Sequence, residues 1–330
     1  MTDATLDVLG IGNAIVDVLV QADDGFLDAH GLVKGAMTLI DAARARELYD
    51  MLENGIEVSG GSAANSMAGI AALGGRAAFI GKLRDDPLGV FFSRDIHTAG
   101  VRFTTPLSDH TAPTARCFVI VTPDAQRTMN TYLGACVELG PEDVDEALVA
   151  SAAITYFEGY LWDPPGGKAA FRKAHEIAHA NGRRVALTLS DPFCVERYRD
   201  EFLDLVADHI DILFANEVEI ISLYQAADFD QALERVRGHC AIAALTRGDR
   251  GSVIVAGGEI HVVPAAPVAR VVDTTGAGDL YAAGFLHGLS RGWGLADCAR
   301  LGGVAAAEII GHLGARCRAD MTALANTVKP

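Results

Sequence analysis

The segment Asp273–Asp279 has the composition of an anion-binding turn. It reads Asp-Thr-Thr-Gly-Ala-Gly-Asp and has apolar residues on both sides. We predict that a strand delivers the chain to a tight glycine turn and that a helix begins there. The free backbone N–H groups of Gly276, Ala277, Gly278 and Asp279 would then point at one spot, where the helix dipole adds positive potential.

The carboxylate of Asp279 would lie beside this anion hole. There it would accept a proton from an attacking hydroxyl group, which is the task of a general base. The alternative is an aspartate that only stabilises the start of a helix. The glycines on both sides of Ala277 favour the catalytic interpretation.

A second glycine segment reads Ser59-Gly60-Gly61-Ser62-Ala63-Ala64-Asn65 and precedes a helix of small residues. Gly60 and Gly61 let a ligand approach the backbone closely, and Ser62 can cap the helix. Asn65 offers both a donor and an acceptor, which suits a hydroxyl group. Alone, this pattern is weak, because a glycine turn before a helix is common.

Asn13 and Asp17 are polar residues inside an apolar run near the N-terminus. They are either turn residues or groups that face a ligand. The preceding Gly10-Ile11-Gly12 begins like a dinucleotide fingerprint, but the residues that follow are typical of a strand. We reject the dinucleotide interpretation, because it needs a helix to begin at that turn.

Two further polar groups follow predicted strands. Asn216 and Glu219 are three residues apart, so on a first helical turn they share a face and can hold a hydrated Mg²⁺ through its waters. Thr246 and Gly248 follow the next strand. Ligands of open α/β sheets bind beyond the carboxyl ends of the strands, so we expect these residues to converge there.

The charge balance limits the partners. The chain of 330 residues has 27 Lys and Arg against 43 Asp and Glu, a formal net charge of −16. This argues against a nucleic-acid partner, since such proteins neutralise phosphates with basic side chains. A phosphate ligand must therefore be held by local dipoles or by a metal ion.

Other features exclude further classes. The six cysteines include no Cys-x-x-Cys pair, so we expect buried, reduced thiols. No basic leader precedes the first apolar run, and the run 301–315 is too short to span a bilayer. We expect a cytoplasmic protein with no membrane partner. The segment His175–His179 matches a zinc-protease pattern, but a third ligand is not evident and we reject it.

Short apolar runs alternate with amphipathic helical segments along the chain. This pattern predicts a mostly parallel sheet covered on both faces. The β-rich stretches 14–40 and 105–138 predict a small sheet that acts as a lid, the second with a hairpin over Pro123-Asp124-Ala125-Gln126. The alternative is a set of extra edge strands of the main sheet. The main α/β domain would comprise 1–13, 41–104 and 139–330.

These segments resemble the ribokinase-like (PfkB) carbohydrate and nucleoside kinases. The resemblance runs from Gly10 to about Gly314, and its two signature segments are Gly60–Asn65 and Asp273–Asp279. Asn216–Glu219 looks like the family's Asn-x-x-Glu motif. Within the family the chain is most similar to adenosine kinases, a likeness that rests on Gly12–Asp17, Leu187–Phe193 and Asp211–Glu217.

The resemblance implies a ribokinase-like three-layer sandwich with a β-rich lid. It also implies roles for particular residues. Asp279 would be the base, Gly276, Ala277 and Gly278 the anion hole, and Arg127 of the lid would lie near the transferring phosphate. The ribose would be bound by Asn13, Asp17, Gly60, Gly61 and Asn65, and ATP and Mg²⁺ by Asn216, Glu219, Thr246 and Gly248. A monovalent cation such as K⁺ would lie in the region of Asp273 and Thr275 with the stretch Ala307–Arg316.

The activity implied is transfer of the γ-phosphoryl group of ATP to the 5′-hydroxyl of adenosine. The alternatives are a sugar kinase of the same family, an inosine or guanosine kinase, and a non-catalytic nucleotide or sugar sensor. Adenosine kinases usually clamp the purine with an aromatic residue where this chain has Glu158–Trp162, which leaves open whether Tyr160, Trp162 or neither stacks. The protein would be a monomer or a homodimer.

Overall fold

The computed structural model describes residues 4–52, 55–109, 112–124 and 126–329. Within these ranges no helix is long and apolar enough to cross a membrane. The described strands are β1 Leu6–Ile11, β2 Ile15–Gln21, β3 Met37–Leu39, β4 Ile56–Gly60, β5 Ala77–Ile80, β6 Arg102–Phe103, β7 Ala115–Val121, β8 Arg127–Tyr132, β9 Ala152–Glu158, β10 Arg184–Thr188, β11 Ile212–Asn216, β12 Ile242–Thr246, β13 Ser252–Ala256 and β14 Glu259–Val263. The described α-helices are α1 Asp24–Ala29, α2 Ala42–Met51, α3 Ser62–Ala72, α4 Pro87–Thr98, α5 Glu146–Ser151, α6 Pro165–Ala180, α7 Pro192–Asp208, α8 Glu217–Tyr224, α9 Phe229–Val236, α10 Ala277–Ser290, α11 Leu295–Ile309 and α12 Met321–Val328.

The larger sheet has the strand order β14-β13-β12-β11-β10-β9-β1-β5-β6. In this order, every neighbouring pair from β12 through β1 to β6 is parallel. At the other edge, β13 pairs antiparallel with both β12 and β14. Parallel neighbours need crossover connections, which the helices supply. The predicted mostly parallel sheet is confirmed.

Helices cover both faces of this sheet. Successive side chains of a strand point to opposite faces, so Leu9 of β1 joins one core and Val8 joins the other. The first core includes Phe171 of α6 and Phe202 of α7, while the second includes Phe285 of α10. The three-layer sandwich implied by the family resemblance is confirmed.

A second sheet has the order β3-β8-β7-β2-β4. Its strands do not extend the edge of the larger sheet, so the alternative of extra edge strands is wrong. One face packs on α1 and α2 through an apolar cluster that includes Val18, Leu48 and Phe118. The hairpin of β7 and β8 is confirmed by the pairing of Val121 with Arg127. Ala125 of its turn lies outside the described residues.

The chain leaves the small sheet later than we expected. Strand β4 pairs antiparallel with β2, and Leu48 of α2 is buried against this sheet. Helix α2 and strand β4, which we assigned to the main domain, therefore pack with the small sheet. The apolar face of α2 decides this, because it has to be buried against the β2 and β7 side chains.

The approach to the glycine turn also differs from expectation. No strand forms at residues 271–273. The amide of Val272 instead donates to the carbonyl of Ile310 at the end of α11, at 2.8 Å. The segment is thus held by a helix end rather than by a sheet edge.

Gly61 joins β4 to α3 with φ of +97°, and a Cβ atom there would lie 2.1 Å from the carbonyl oxygen of Asn13. We expect Gly61→Ala to lower the free energy of unfolding by about 2 kcal/mol or more, because both the backbone conformation and the contact oppose a side chain. Urea denaturation measures this change. The matched control is Gly258→Ala, where an added Cβ meets no atom within 4 Å. Equal effects of the two substitutions would contradict the prediction.

Candidate active site

A cavity of about 640 Å³ lies between the carboxyl ends of the main-sheet strands and the inner face of the small sheet. This volume is typical of small-molecule sites. Gly60 and Asp273 lie just behind its wall. The other predicted site residues line it: Asn13, Asp17, Gly61, Asn65, Arg127, Asn216, Glu219, Thr246, Gly248, Thr275, Gly276, Ala277, Gly278 and Asp279.

The start of α10 forms the predicted glycine turn. Gly276 is the N-cap residue with φ of +77°, and α10 begins at Ala277. The amide of Ala277 donates to the carbonyl of Thr274 at 3.3 Å, so it is not free as we predicted. Within the described part of the chain, the amides of Gly276, Gly278 and Asp279 have no hydrogen-bond partner. They leave three donors at the positive end of the helix dipole, which suits an anion.

The carboxylate of Asp279 lies in the first turn of α10 and faces α3. One of its oxygens accepts from the hydroxyl of Ser62 at 2.7 Å, and the other accepts from Nδ2 of Asn65 at 2.9 Å. Burial raises the pKa of Asp279, while hydrogen bonds from Asn65 and Ser62 and the charge of Arg127 oppose that rise. Asp279 is therefore not a helix cap. It is a positioned carboxylate at the edge of the cavity.

Ser62 has a different role from the one that we predicted. The N-cap of α3 is Gly61, and Ser62 is the first helical residue. Its hydroxyl is used by Asp279 rather than by the helix start. The pairing of Ser62 and Asn65 with Asp279 spans more than 200 residues of sequence, which local pattern does not reveal.

Close packing of α3 on α10 brings these side chains together. A Cβ atom at Gly69 would lie 2.6 Å from Leu280 and 2.8 Å from Ala283. The missing side chain lets the two helix backbones approach. The small residues of α3 therefore have a positioning function, since they place Ser62 and Asn65 against Asp279.

Asp17 projects from β2 into the cavity across from Asp279. Burial raises the pKa of Asp17 to about 7, and the charge of Arg316 opposes this rise. Gly60 makes room for the carboxylate, because a Cβ there would lie 2.2 Å from Oδ2 of Asp17. Within the described residues, the Asp17 carboxylate has no hydrogen-bond partner, and the residue is half-buried. A carboxylate in this state suits a ligand that donates hydrogen bonds.

Glu158 is a site residue that we missed. It ends β9, is buried, and accepts from the amide of Asn13 at 2.9 Å and the amide of Ala63 at 2.8 Å. It thereby anchors the two chain segments that connect the main domain with the small sheet at this point, which are the link from β1 to β2 and the start of α3 after β4. Oδ1 of Asn13 is buried in the cavity wall without a partner in the described structure. The sequence signal was the acidic residue that closes an otherwise apolar strand.

Asn216 and Glu219 form a reciprocal capping box at the start of α8. Oδ1 of Asn216 accepts from the amide of Glu219 at 2.9 Å, and the Glu219 carboxylate accepts from the backbone and side-chain nitrogens of Asn216. Burial raises the pKa of Glu219 to about 7. The described residues contain no group of three or more His, Cys, Asp or Glu arranged to hold a metal ion. A divalent ion at this pair would accordingly be held through water.

Asp273 holds the glycine turn in place. Its carboxylate accepts from the amide and hydroxyl of Thr275 at 2.8 and 2.6 Å and from the amide of Gly314 at 2.9 Å. The side chains of Asp273 and Thr275 thus form hydrogen bonds to other groups of the protein. The predicted monovalent cation stays a prediction.

The aromatic residues divide between core and cavity. Trp162 packs on Phe171 and Phe202 in the core, so it is not available to stack on a ligand. Tyr160 and Phe193 line the cavity, and Phe193 is 62% exposed.

The zinc-protease alternative fails on position, since α6 with His175 and His179 covers the main sheet and its histidines do not line this cavity.

Three comparisons with known proteins agree with this geometry. The family described as pfkB family carbohydrate kinase matches residues 35–320. The crystal structure of adenosine kinase from Sinorhizobium meliloti is 54% identical, with a TM-score of 0.94 over 98% of this chain and 99% of that one. The crystal structure of a probable sugar kinase from Rhizobium etli CFN 42 is 50% identical, with a TM-score of 0.94 over 98% of each chain. Adenosine kinase 1 of Arabidopsis thaliana is 26% identical over 93% of this chain and 94% of that protein.

The chain therefore belongs to the pfkB family of carbohydrate kinases. It is a phosphotransferase that uses ATP and an alcohol group as acceptor. The predicted resemblance to the ribokinase-like kinases, and within them to adenosine kinases, is confirmed.

The raised pKa of Glu158 makes stability depend on pH. Burial raises this pKa from 4.5 to about 7, so between these values the folded protein keeps a proton that the unfolded chain has lost. Stability must fall as pH rises through this window. We expect thermal melting across it to show a shallower decline in Glu158→Gln than in the wild type. The exposed Glu176→Gln is the control and should keep the wild-type slope. Identical slopes in all three proteins would contradict the assignment.

Proposed function

We propose that the protein phosphorylates the 5′-hydroxyl of adenosine with ATP, and that Asp279 is the general base. The observation that carries the proposal is the Asp279 carboxylate, held on both oxygens beside free amides at the start of α10 and open to the cavity. The similarity to an adenosine kinase at 54% identity supports the choice of acceptor.

This geometry supports the following roles for the groups around the transferring phosphoryl group. The acceptor hydroxyl would donate to Asp279 and attack the γ-phosphorus in line with the leaving ADP. The amides of Gly276 and Gly278 would receive the charge of the transferring phosphoryl group, with Arg127 opposite them on β8. Phosphoryl transfer requires positioning and charge stabilisation more than covalent chemistry. The partner-free amides of Gly276, Gly278 and Asp279, together with Arg127, would meet that need in a chain with excess acid.

The small sheet would bind the sugar of the acceptor. Oδ1 of Asn13 is buried without a partner in the described structure, and the Asp17 carboxylate lines the same cavity, so both groups could accept hydrogen bonds from hydroxyl groups. Asp17 would fix the ribose so that its 5′-hydroxyl points at Asp279, while Tyr160 or Phe193 would contact the base. The small sheet would also act as a lid that excludes water.

The ends of β11 and β12 would bind ATP. Thr246 and Gly248 line the cavity on that side, and Gly248 has φ of +61°. Glu219 and Asn216 would hold Mg²⁺ through its waters, and the ion would neutralise phosphate charge. The predicted cytoplasmic location, the requirement for K⁺, and the monomeric or homodimeric state stay predictions.

A sugar kinase is the second candidate, because a probable sugar kinase is 50% identical to this chain. Release of ADP with a panel of adenosine, inosine, guanosine, ribose and fructose separates the candidates. We expect the highest kcat/KM with adenosine. A sugar as the best acceptor would replace the proposed substrate, and no turnover with any acceptor would favour a sensor.

We expect Asp279→Asn to lower kcat by about 10²–10⁴-fold, the usual effect of losing a general base. The amide keeps the size of the side chain, so KM for both substrates should change little. Steady-state kinetics measures both constants, and Asp230→Asn on the surface is the matched control. Turnover near the wild-type rate would remove Asp279 from the mechanism.

Asp17→Ala should raise KM for the acceptor by about tenfold or more, because it removes a carboxyl group that can accept hydrogen bonds from the acceptor. KM for ATP should stay near the wild-type value, since Asp17 faces the other end of the cavity. Asp17→Asn, which retains one acceptor oxygen, should have an intermediate KM. An unchanged acceptor KM in the alanine variant would refute the role on the ribose.

A further inference from the structure

Arg316 is a half-buried arginine that our sequence-based assignment of site residues did not include. It lies in the segment between α11 and α12 and reaches to the junction of β4 and α3. Its Nη1 donates to Oδ1 of Asn65 at 2.6 Å, and its Nη2 donates to the carbonyl of Ser59 and, at 2.7 Å, to the Ser59 hydroxyl. Arg316 thus connects the β4 end to α3.

The Ser59 end of this connection is fixed from outside. Oδ2 of Asp95, on α4, accepts from the amide of Ser59 at 2.9 Å and from its hydroxyl at 2.6 Å. A hydroxyl has one donor and two acceptor sites, so Ser59 can give its proton to Asp95 and accept from Arg316 at once. At this end Arg316 is therefore held by Ser59 and Asp95, which do not line the cavity.

The Asn65 end decides the orientation of an amide. A guanidinium group can only donate, and an ionised carboxylate can only accept. Asn65 lies between Arg316 and Asp279, so its oxygen must face Arg316 and its nitrogen must face Asp279. The reverse orientation would place oxygen against carboxylate and NH₂ against guanidinium, and both contacts are repulsive.

We propose that Arg316 is a positioning residue for the base, and that it fixes the Asn65 amide so that Nδ2 holds one oxygen of Asp279. Ser62 holds the other oxygen, so the carboxylate keeps one direction toward the cavity. Without Arg316 the Asn65 amide is free to turn, and Asp279 loses one of its two donors. The expected defect lies in alignment for transfer rather than in binding of ATP.

This proposal rests on the proposed role of Asp279 as the base. The acceptor panel on the wild-type protein tests that function separately, and the experiment below uses whichever acceptor turns over.

The test is a double-mutant cycle on kcat with the wild type, Arg316→Met, Asn65→Ala and the double variant. Arg316→Met should lower kcat by about 10- to 100-fold, as expected for a misplaced reactive group, with KM for ATP nearly unchanged. In the Asn65→Ala background, Arg316→Met should change kcat by no more than about threefold, because the side chain through which Arg316 acts on Asp279 has already been removed. Arg318→Met, an exposed neighbour, is the control and should retain wild-type kcat.

A second substitution keeps the test decisive if the methionine variant does not fold. Arg316→Lys retains a positive charge near Asp95 and Asp17, but its single nitrogen cannot occupy both guanidinium positions. It should also lower kcat, and again only when Asn65 is present. The proposal would be overturned if Arg316→Lys had the kcat of the wild type. It would also be overturned if substitution of Arg316 lowered kcat by the same factor in the wild-type and Asn65→Ala backgrounds.

Discussion

A phosphoryl group enters a chain of formal charge −16 only where fixed dipoles outweigh the surrounding carboxylates. The start of α10 is that place. Gly276 turns the chain with a positive φ, and the amides of Gly276, Gly278 and Asp279 face the cavity without partners in the described structure. The remaining site residues are arranged around this helix end, because the acceptor, the base and the phosphoryl donor must all reach it.

Three buried carboxyl groups in the cavity wall or just behind it each hold a junction of the chain. Glu158 binds the two segments that lead to the small sheet, Glu219 caps α8, and Asp273 closes the glycine turn. Burial of a carboxylate is unfavourable unless hydrogen bonds compensate it. The backbone amides at these junctions provide that compensation. The same hydrogen bonds therefore reduce the unfavourable free energy of carboxylate burial and fix the positions of the chain segments around the cavity.

The sequence predicted those features that depend on local pattern. The glycine turn, Asp279, the parallel sheet and the β7–β8 hairpin follow from residue spacing, since each is decided within a few residues. The prediction of a strand at 271–273 was wrong, because the amide of Val272 donates to the carbonyl of Ile310, which is distant in sequence. Sequence alone also did not indicate the contact of Arg316 with Asn65, which spans 251 positions. Asn65 was predicted to offer donor and acceptor to a ligand, whereas its oxygen is occupied by Arg316.

The central claim is that the amides at the start of α10 and the Asp279 carboxylate enclose the transferring phosphoryl group. A crystal structure with MgADP, the preferred acceptor and aluminium fluoride as a planar phosphoryl mimic tests it most directly. We expect the fluorides within about 3 Å of the Gly276 and Gly278 nitrogens, and the acceptor oxygen within hydrogen-bond distance of Asp279. A mimic bound away from α10, or an acceptor oxygen remote from Asp279, would contradict the account.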